Sequence, residues 1–292
     1  MKWLLLMALA IRAESAERVI IDTDCGYFGD DAAAIAMLLR SPKTAAVEGI
    51  TLVSGNVWAQ SSAVYVKEIL TLLGARVPVY FGMDAPLRFT QALAEEAKAK
   101  WGPMEFRGAF DEKKPAARPK EEAVDYLIRT VEANPGQITL VGLGPLTNIA
   151  RMLQRKPDVA KKIRRLVLMG GQFRVPGNAS KEAEFNFWFD PEAASQVFRS
   201  EIPVKVMFGL DVCEKALLNK AAFDAIAARK TPFTNRFAED YGVRYPGFYK
   251  NPKATVSLWD ALVPAWMIDA SMFGKPEILR LDVVTEFGPR YG

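Results

Sequence analysis

Short apolar runs rich in β-branched residues alternate along this chain with longer segments of helical character. The predicted strands are Arg18–Asp22, Val47–Val53, Val77–Tyr80, Gln137–Val141, Leu166–Met169 and Val204–Phe208. The predicted helices include Asp30–Arg40, Gln60–Leu73, Lys120–Asn134, Leu146–Gln154, Pro191–Ser200 and Trp259–Asp269. This alternation is typical of βαβ units. With 292 residues, 50% of them hydrophobic, the chain is predicted to form one α/β domain: a Rossmann-like, open, mostly parallel sheet flanked by helices.

Glycine and polar residues follow most of the predicted strands. These segments are Asp22–Asp31, Ser54–Asn56, Gly142–Asn148, Gly170–Gly171 and Gly209–Asp211. Ligands of open parallel sheets bind beyond the carboxyl ends of the strands, and glycine lets the backbone approach them closely. We therefore expect the functional site at this edge of the sheet. The segment Trp101–Pro119, with glycine, proline and mixed charge, is predicted to be a long loop.

The first of these segments, DTDCGYFGDD, carries four carboxylates at positions 22, 24, 30 and 31. Carboxylates this close repel one another unless positive charge lies between them, and a helix N-terminus supplies only about half a charge. A hard cation such as Ca²⁺, which takes about six to eight oxygen ligands, is one explanation. The alternative is that Asp30 caps the following helix while Asp22 and Asp24 are solvated in the turn.

Further motifs extend the pattern beyond this turn. The turn resembles the DxDxG…DD signature of the inosine-uridine preferring nucleoside hydrolase family, with two extra residues before the paired aspartates. Similar stretches follow in the family's order: TLVSGN at 51–56, VPVYFGMDAPL at 77–87, PGQITLVGLGPLTNIA at 135–150, LVLMGGQF at 166–173, AEFNFWFDPEAA at 183–194 and LWDALVPA at 258–265. The resemblance covers nearly the whole chain from Arg18, and several co-linear motifs are more specific than one acidic turn.

The resemblance implies an enzyme that hydrolyses the N-glycosidic bond of ribonucleosides, most closely of purine ribonucleosides, to free base and ribose. It implies a Ca²⁺ at the bottom of the pocket, held by Asp24, Asp31, Asp260 and the backbone carbonyl of Leu143. Asp24 would also take a proton from the attacking water, with Asp22 in support. The positions implied to bind the ribose are Asp30, Asn56, Met169, Asn178, Glu184, Phe185 and Asn186.

The chain contains no histidine, which excludes His-ligated metals, Ser-His triads and imidazole acid–base catalysis. Family members that accept purines and pyrimidines place a proton-donating histidine before the last metal-binding aspartate, where this chain has Trp259. A second family histidine has Trp101 as its nearest counterpart. Because these departures resemble the purine-specific branch, we expect Trp259 and Trp101 to stack on the base. Tyr241 and Tyr245 are the alternative base-side residues, since tyrosines of this region face the base in some pyrimidine-preferring relatives.

Two other functions stay open at this point. The loss of the family histidines is compatible with a catalytically impaired protein that binds Ca²⁺ together with a nucleoside or sugar. The hydrolase chemistry could instead act on pyrimidine or modified nucleosides.

The N-terminal segment MKWLLLMALAIRAESA, residues 1–16, resembles a secretory signal peptide, with one lysine before a short apolar block. We therefore expect residues 17–292 to form the hydrolase domain, in the periplasm or outside the cell and without membrane association after cleavage; a cytoplasmic protein is the alternative.

The formal charge of +4 does not indicate a nucleic-acid surface, so a nucleoside is the expected partner. Cys25 and Cys213 are too few for a disulfide framework but leave room for one bridge. The family resemblance also implies a homo-oligomer, either a dimer or a tetramer.

Overall fold

The computed structural model describes residues 16–102, 106–115, 122–247, 251 and 253–292. The signal peptide predicted for residues 1–16 lies outside these residues except for Ala16. In the described part of the chain, no helix has both the length and the apolar character needed to cross a bilayer.

Strands run parallel in one sheet, in the spatial order β3-β2-β1-β4-β5-β6. They are β1 Glu17–Thr23, β2 Ala45–Leu52, β3 Val79–Phe81, β4 Ile138–Gly142, β5 Arg165–Met169 and β6 Lys205–Phe208. All their pairings are parallel, which confirms the predicted α/β fold and each predicted strand. The chain builds outward from β1 to β3 on one side and then from β4 to β6 on the other. The direction in which strands are added to the sheet therefore reverses between β1 and β4. Ligands bind at such switch points in open parallel sheets.

Helices cover both faces of this sheet. They are α1 Asp30–Leu39, α2 Ala59–Leu73, α3 Gln91–Trp101, α4 Ala123–Ala133, α5 Thr147–Arg155, α6 Phe185–Phe189, α7 Pro191–Arg199, α8 Leu210–Cys213, α9 Lys220–Ala227, α10 Pro232–Arg244 and α11 Leu262–Ile268. Successive side chains of a strand point to opposite faces, so Val19 and Ile21 join one hydrophobic cluster while Ile20 joins the other. Helices α1, α2, α10 and α11 pack in the first cluster, and α4, α5 and α7 in the second.

In the described part of the chain, five helices and a short strand pair were not predicted. In α3 the buried residues are Ala94 and Ala97, so this helix carries helix-forming residues without a broad apolar stripe. The other unpredicted elements are the short helices α6 and α8, helices α9 and α10, and the antiparallel strands β7 Leu217–Asn219 and β8 Thr255–Ser257. Strands of this length are too short to show an alternating pattern.

Most predicted elements differ from the observed ones by one to three residues at their ends, and two of the differences concern segments near the predicted site. The helix predicted from Trp259 begins at Leu262, because residues 259–261 form the turn that carries Asp260. The predicted loop Trp101–Pro119 starts on the last residue of α3 and contains the 3-10 turn Gly108–Asp111. Residues 103–105 and 116–119 of that loop lie outside the described residues.

Candidate active site

A cavity of about 1140 Å³ opens at the carboxyl edge of the sheet. The predicted site residues that line it are Asp30, Asn56, Leu143, Met169, Asn178, Glu184, Phe185, Asn186, Tyr245, Trp259 and Asp260. Asp24 and Asp31 are buried beside this lining. The fold therefore brings together side chains from the turns after β1 and β2, the segment after β4, residues 169–186, the end of α10 and the turn before α11.

Buried carboxylates gather on one side of the cavity. An oxygen from each of Asp30, Asp31 and Asp260 lies within 4.8 Å of the other two. The family resemblance had assigned Asp24, Asp31 and Asp260 to the metal and Asp30 to the ribose. The structure places Asp30 in the cluster as well. Asn56 donates hydrogen bonds to both Asp24 and Asp31, so all four acids lie close together.

Asn56 and the neighbouring turns hold Asp24 and Asp31 in place. The Asn56 backbone N–H donates to Oδ2 of Asp24 over 2.6 Å, and its side-chain amide donates to Oδ2 of Asp31 over 3.3 Å. A Cβ on Gly55 would lie 2.0 Å from Oδ2 of Asp24, and one on Gly144 would lie 2.7 Å from Oδ1. Glycine is thus required at both positions for the strand-following turns to close around the Asp24 carboxylate.

The environment disfavours simultaneous ionisation of these acids. Burial, and then the charge of Asp30, raise the pKa of Asp31 to about 8, and burial raises the pKa of Asp30 to about 6. Burial followed by the charge of Asp31 raises the pKa values of Asp24 and Asp260 well above their ordinary range. Oδ1 of Asp24 and Oδ1 of Asp260 are buried without a hydrogen-bond partner among the described residues. Carboxylates that are buried, convergent and incompletely hydrogen-bonded fit a hard cation.

Asp22 is held at one oxygen by two side chains, and its Oδ2 is buried without a hydrogen-bond partner among the described residues. Its Oδ1 accepts hydrogen bonds from Thr51 at 2.5 Å and from Nδ2 of Asn148 at 2.7 Å. Burial raises its pKa to about 7. Asn148 was not among the predicted site residues, although it stands in the quoted family motif after β4; its position in that turn was the available signal.

One polar wall of the cavity consists of Glu184, Asn186 and Asn178, whose side chains form hydrogen bonds mainly with backbone groups. Glu184 accepts from the N–H groups of Asn186 at 2.9 Å, Gly171 at 2.7 Å and Phe187 at 3.1 Å, so it caps α6. The Asn186 amide donates to the backbone oxygen of Leu143 at 3.0 Å. Oδ1 of Asn178 accepts from the Phe185 N–H at 2.8 Å. These bonds fix the segment from Asn178 to Asn186 along one side of the cavity.

Aromatic side chains form the remaining wall, and they differ in part from the expected set. Trp259 lines the cavity, and its indole N–H has no hydrogen-bond partner in the described part of the chain. Trp101 does not line it: the indole is 38% exposed and packs edge-on against Phe287 with ring centroids 5.0 Å apart. From the same loop, Phe106 lines the cavity instead and packs on Phe185 at 4.8 Å.

The two predicted tyrosines have different surroundings. Tyr245 lines the cavity, whereas Tyr241 is buried in the core against Phe237 with ring centroids 4.5 Å apart. Tyr27, which was not predicted, also lines the cavity. Its signal was its place inside the acidic turn.

The two cysteines do not form the disulfide bridge that the sequence allowed. Cys25 and Cys213 are both buried free thiols. Each donates to a backbone oxygen, Cys25 to Tyr27 at 3.3 Å and Cys213 to Phe208 at 3.2 Å.

Comparisons with known proteins agree with this geometry. Residues 19–292 match the model of the family described as inosine-uridine preferring nucleoside hydrolase. The pyrimidine-specific ribonucleoside hydrolase RihB of Escherichia coli strain SE11 is 32% identical over 276 residues, which cover 94% of this chain and 85% of that protein. A purine-preferring ribonucleoside hydrolase from Gardnerella vaginalis has a TM-score of 0.71 and 28% identity, covering 94% of this chain and 87% of the other. An inosine-guanosine nucleoside hydrolase shares the fold, with a TM-score of 0.74, 24% identity and coverage of 94% and 86%. The chain therefore belongs to the inosine-uridine preferring nucleoside hydrolase family and is an enzyme that acts on N-glycosyl bonds.

Proposed function

We propose that this chain is a Ca²⁺-dependent ribonucleoside hydrolase that releases a free base and ribose. One observation carries the proposal: four buried carboxylates converge at the switch point of the sheet, and Oδ1 of Asp24 and of Asp260 have no hydrogen-bond partner among the described residues. Burying such oxygens is unfavourable unless a cation or a proton compensates their charge.

Asp24, Asp31, Asp260 and the backbone oxygen of Leu143 would hold the Ca²⁺, and Asp30 is close enough to contribute. A carbonyl oxygen has two lone pairs, so the Leu143 oxygen can accept from Asn186 and still serve as a ligand. Hard oxygen donors of this kind suit Ca²⁺. When bound, Ca²⁺ supplies the charge that lets these acids ionise together and makes a neighbouring water molecule a stronger acid.

Asp24 is the proposed general base. Oδ2 is fixed by the Asn56 N–H, which leaves Oδ1 to accept a proton from the attacking water. The water oxygen forms a bond to C1′ and gives a proton to Asp24, while the bond from C1′ to the base nitrogen breaks. The base leaves with the electron pair of that bond and takes a proton from solvent. Positive charge develops on the sugar in this transition state, and the neighbouring carboxylates stabilise it.

The polar wall is proposed to orient the sugar. Asn56 and Asn186 line the cavity beside the cluster, and Asp30 lines it as a member of the cluster; the polar groups of all three can bind ribose hydroxyls. Because hydrogen bonds to the backbone fix Asn178 and Glu184, the wall is arranged before the substrate arrives. Such positioning reduces the entropy cost of reaching the transition state. Met169 and Phe185 would give the sugar its apolar contact.

Purine nucleosides are the proposed substrates because an indole, Trp259, lines the cavity where it can stack on a base. Pyrimidine nucleosides are the second candidate, favoured by Tyr245 and Tyr27 on the same cavity and by the named specificity of the E. coli relative. The test is base release from inosine, guanosine, uridine and cytidine. Higher kcat/KM for inosine and guanosine supports the purine proposal, whereas higher values for uridine and cytidine overturn it.

Export and self-association are further parts of the proposal. Residues 1–16 resemble a signal peptide, which favours the periplasm or the exterior over the cytoplasm. Cell fractionation tests the location, and sedimentation of the purified protein tests the dimer or tetramer that the family resemblance implies.

A further inference from the structure

Residues 27–29 connect Gly26 to the paired acids Asp30 and Asp31, and they are bound to a distant helix. Helix α1 begins after Gly29, which provides no side-chain hydrogen bond to cap it. The restraint on this end comes instead from α10, more than two hundred residues later, where Oδ2 of Asp240 accepts the Phe28 backbone N–H at 2.9 Å.

Asp240 is itself fixed by Arg236. The Arg236 guanidinium donates to Oδ1 of Asp240, and its Nε donates to Glu68 of α2 at 3.0 Å. A carboxylate held at one oxygen by an arginine keeps the other oxygen directed at its backbone partner. The side chain of Asp240 is only 16% exposed, so water competes little for this bond.

Ring contacts bind the same segment to α10. The Arg236 guanidinium lies 4.9 Å from the centroid of the Phe28 ring, and the Arg244 guanidinium lies 4.1 Å from that of Tyr27. Phe28 is fully buried and packs at 5.8 Å on Phe233, the second residue of α10. Successive turns of one helix therefore hold two consecutive residues of the acidic turn.

We propose that Asp240 is a positioning residue of the carboxylate cluster. By holding the Phe28 N–H, it fixes residues 27–29 and thereby keeps Asp30 and Asp31 facing Asp260 against their mutual repulsion. The expected effect on Ca²⁺ affinity rests on the proposed function, whereas the restraint of the backbone of residues 27–29 does not. Residues that orient metal ligands have measurable effects on metal affinity without touching the metal.

The experiment compares full-length Asp240→Ala, Asp240→Asn and Glu239→Ala with the wild type. Calorimetric titration with Ca²⁺ alone measures affinity, and hydrogen exchange without Ca²⁺ measures the opening of residues 26–31. We expect Asp240→Ala to weaken Ca²⁺ binding by about tenfold or more and to accelerate exchange in residues 26–31. Asp240→Asn keeps one acceptor oxygen, for which the Phe28 N–H and the Arg236 guanidinium compete, so its affinity and exchange should lie between those of the wild type and Asp240→Ala. Glu239 has a side chain that is 72% exposed and lies 3.7 Å from Arg236, so Glu239→Ala should change neither quantity.

Wild-type affinity and wild-type exchange in Asp240→Ala would overturn the proposal. If Asp240→Ala does not fold, Arg236→Met removes the group that fixes Asp240, and faster exchange of residues 26–31 is expected there too; unchanged exchange contradicts the inference. Failure of the wild type to bind Ca²⁺ would contradict the proposed function, while the exchange comparison would still decide the role of Asp240.

Discussion

Asn56 donates its backbone N–H to Oδ2 of Asp24 over 2.6 Å, while Oδ1 of the same carboxylate has no hydrogen-bond partner in the described part of the chain. One oxygen is thus fixed and the other is available for a proton or a cation. The two residues come from the turns after β1 and β2, which the parallel pairing of these strands brings to one edge. This relationship is why Asp24, among several buried acids, is assigned the role of base.

Substitution of Asp24 separates an enzyme from a binding protein. Asp24→Asn keeps the shape and the acceptor for the Asn56 N–H but cannot take a proton at neutral pH. We expect kcat to fall by about a hundredfold to ten-thousandfold, measured as base release, with nucleoside binding retained. Asp125→Asn, at an exposed surface ion pair with Arg155, is the matched control. A variant with wild-type kcat would contradict the assignment, and a wild type without turnover on any nucleoside would favour the binding protein.

The two tryptophans provide a test of the base subsite. Trp259 lines the cavity, whereas Trp101 packs against Phe287 away from it. Loss of a desolvated stacking contact is worth about 1–2 kcal/mol, so Trp259→Ala should raise KM for inosine by about five- to thirtyfold. Trp101→Ala should leave KM for inosine unchanged. Equal KM changes in both variants would argue against Trp259 as the stacking residue.

Asn148 should contribute strongly to stability. Its Oδ1 accepts the Met83 N–H at 2.7 Å, and its Nδ2 donates to Asp22 at 2.7 Å and to the Leu52 oxygen at 3.0 Å. Asn148→Ala leaves buried polar groups unsatisfied and should lower the free energy of unfolding by about 3 kcal/mol or more in urea titrations. Gln154→Ala, at an exposed position of the same helix, should change it little. A loss in Asn148→Ala no larger than in this control would show that the hydrogen bonds are dispensable.

Asp190, which is not one of the proposed metal ligands, should make the free energy of unfolding depend on pH. It accepts from Thr147 at 2.6 Å and from the Leu87 N–H at 2.9 Å, and burial raises its pKa from 3.8 to about 6. Between these values the native state binds more protons than the unfolded state. Its contribution to the free energy of unfolding is therefore fully present below about pH 3.8 and is lost as pH rises through about 6, by about 3 kcal/mol in total.

Urea unfolding of the wild type and Asp190→Asn at several pH values isolates this contribution, because the other buried acids are common to both proteins. The stability of the wild type relative to the variant should fall as pH rises from about 4 to 6 and then level off. A difference that does not vary with pH would contradict the raised pKa.

The sequence was sufficient to predict the sheet and most of the cluster, for identifiable reasons. Buried parallel strands are continuous apolar runs, so β1 and β4 were recognisable, and Asp24 and Asp31 follow the first of them directly. Helix α10 and its contacts with Phe28 could not be predicted, because pairing Phe28 with Asp240 depends on tertiary packing across the chain. Trp101 was assigned to the base by its place in the loop after β3, but its ring packs against Phe287, and Phe106 of the same loop lines the cavity instead.

The most direct test of the account is release of ribose from inosine and uridine by protein treated with a chelator, before and after Ca²⁺ is restored. The carboxylates cannot ionise together without a cation, so we predict that activity is lost with the chelator and returns with Ca²⁺ in proportion to occupancy. Full turnover by metal-free protein, or failure of Ca²⁺ to restore it, would contradict a Ca²⁺ site formed by Asp24, Asp31 and Asp260.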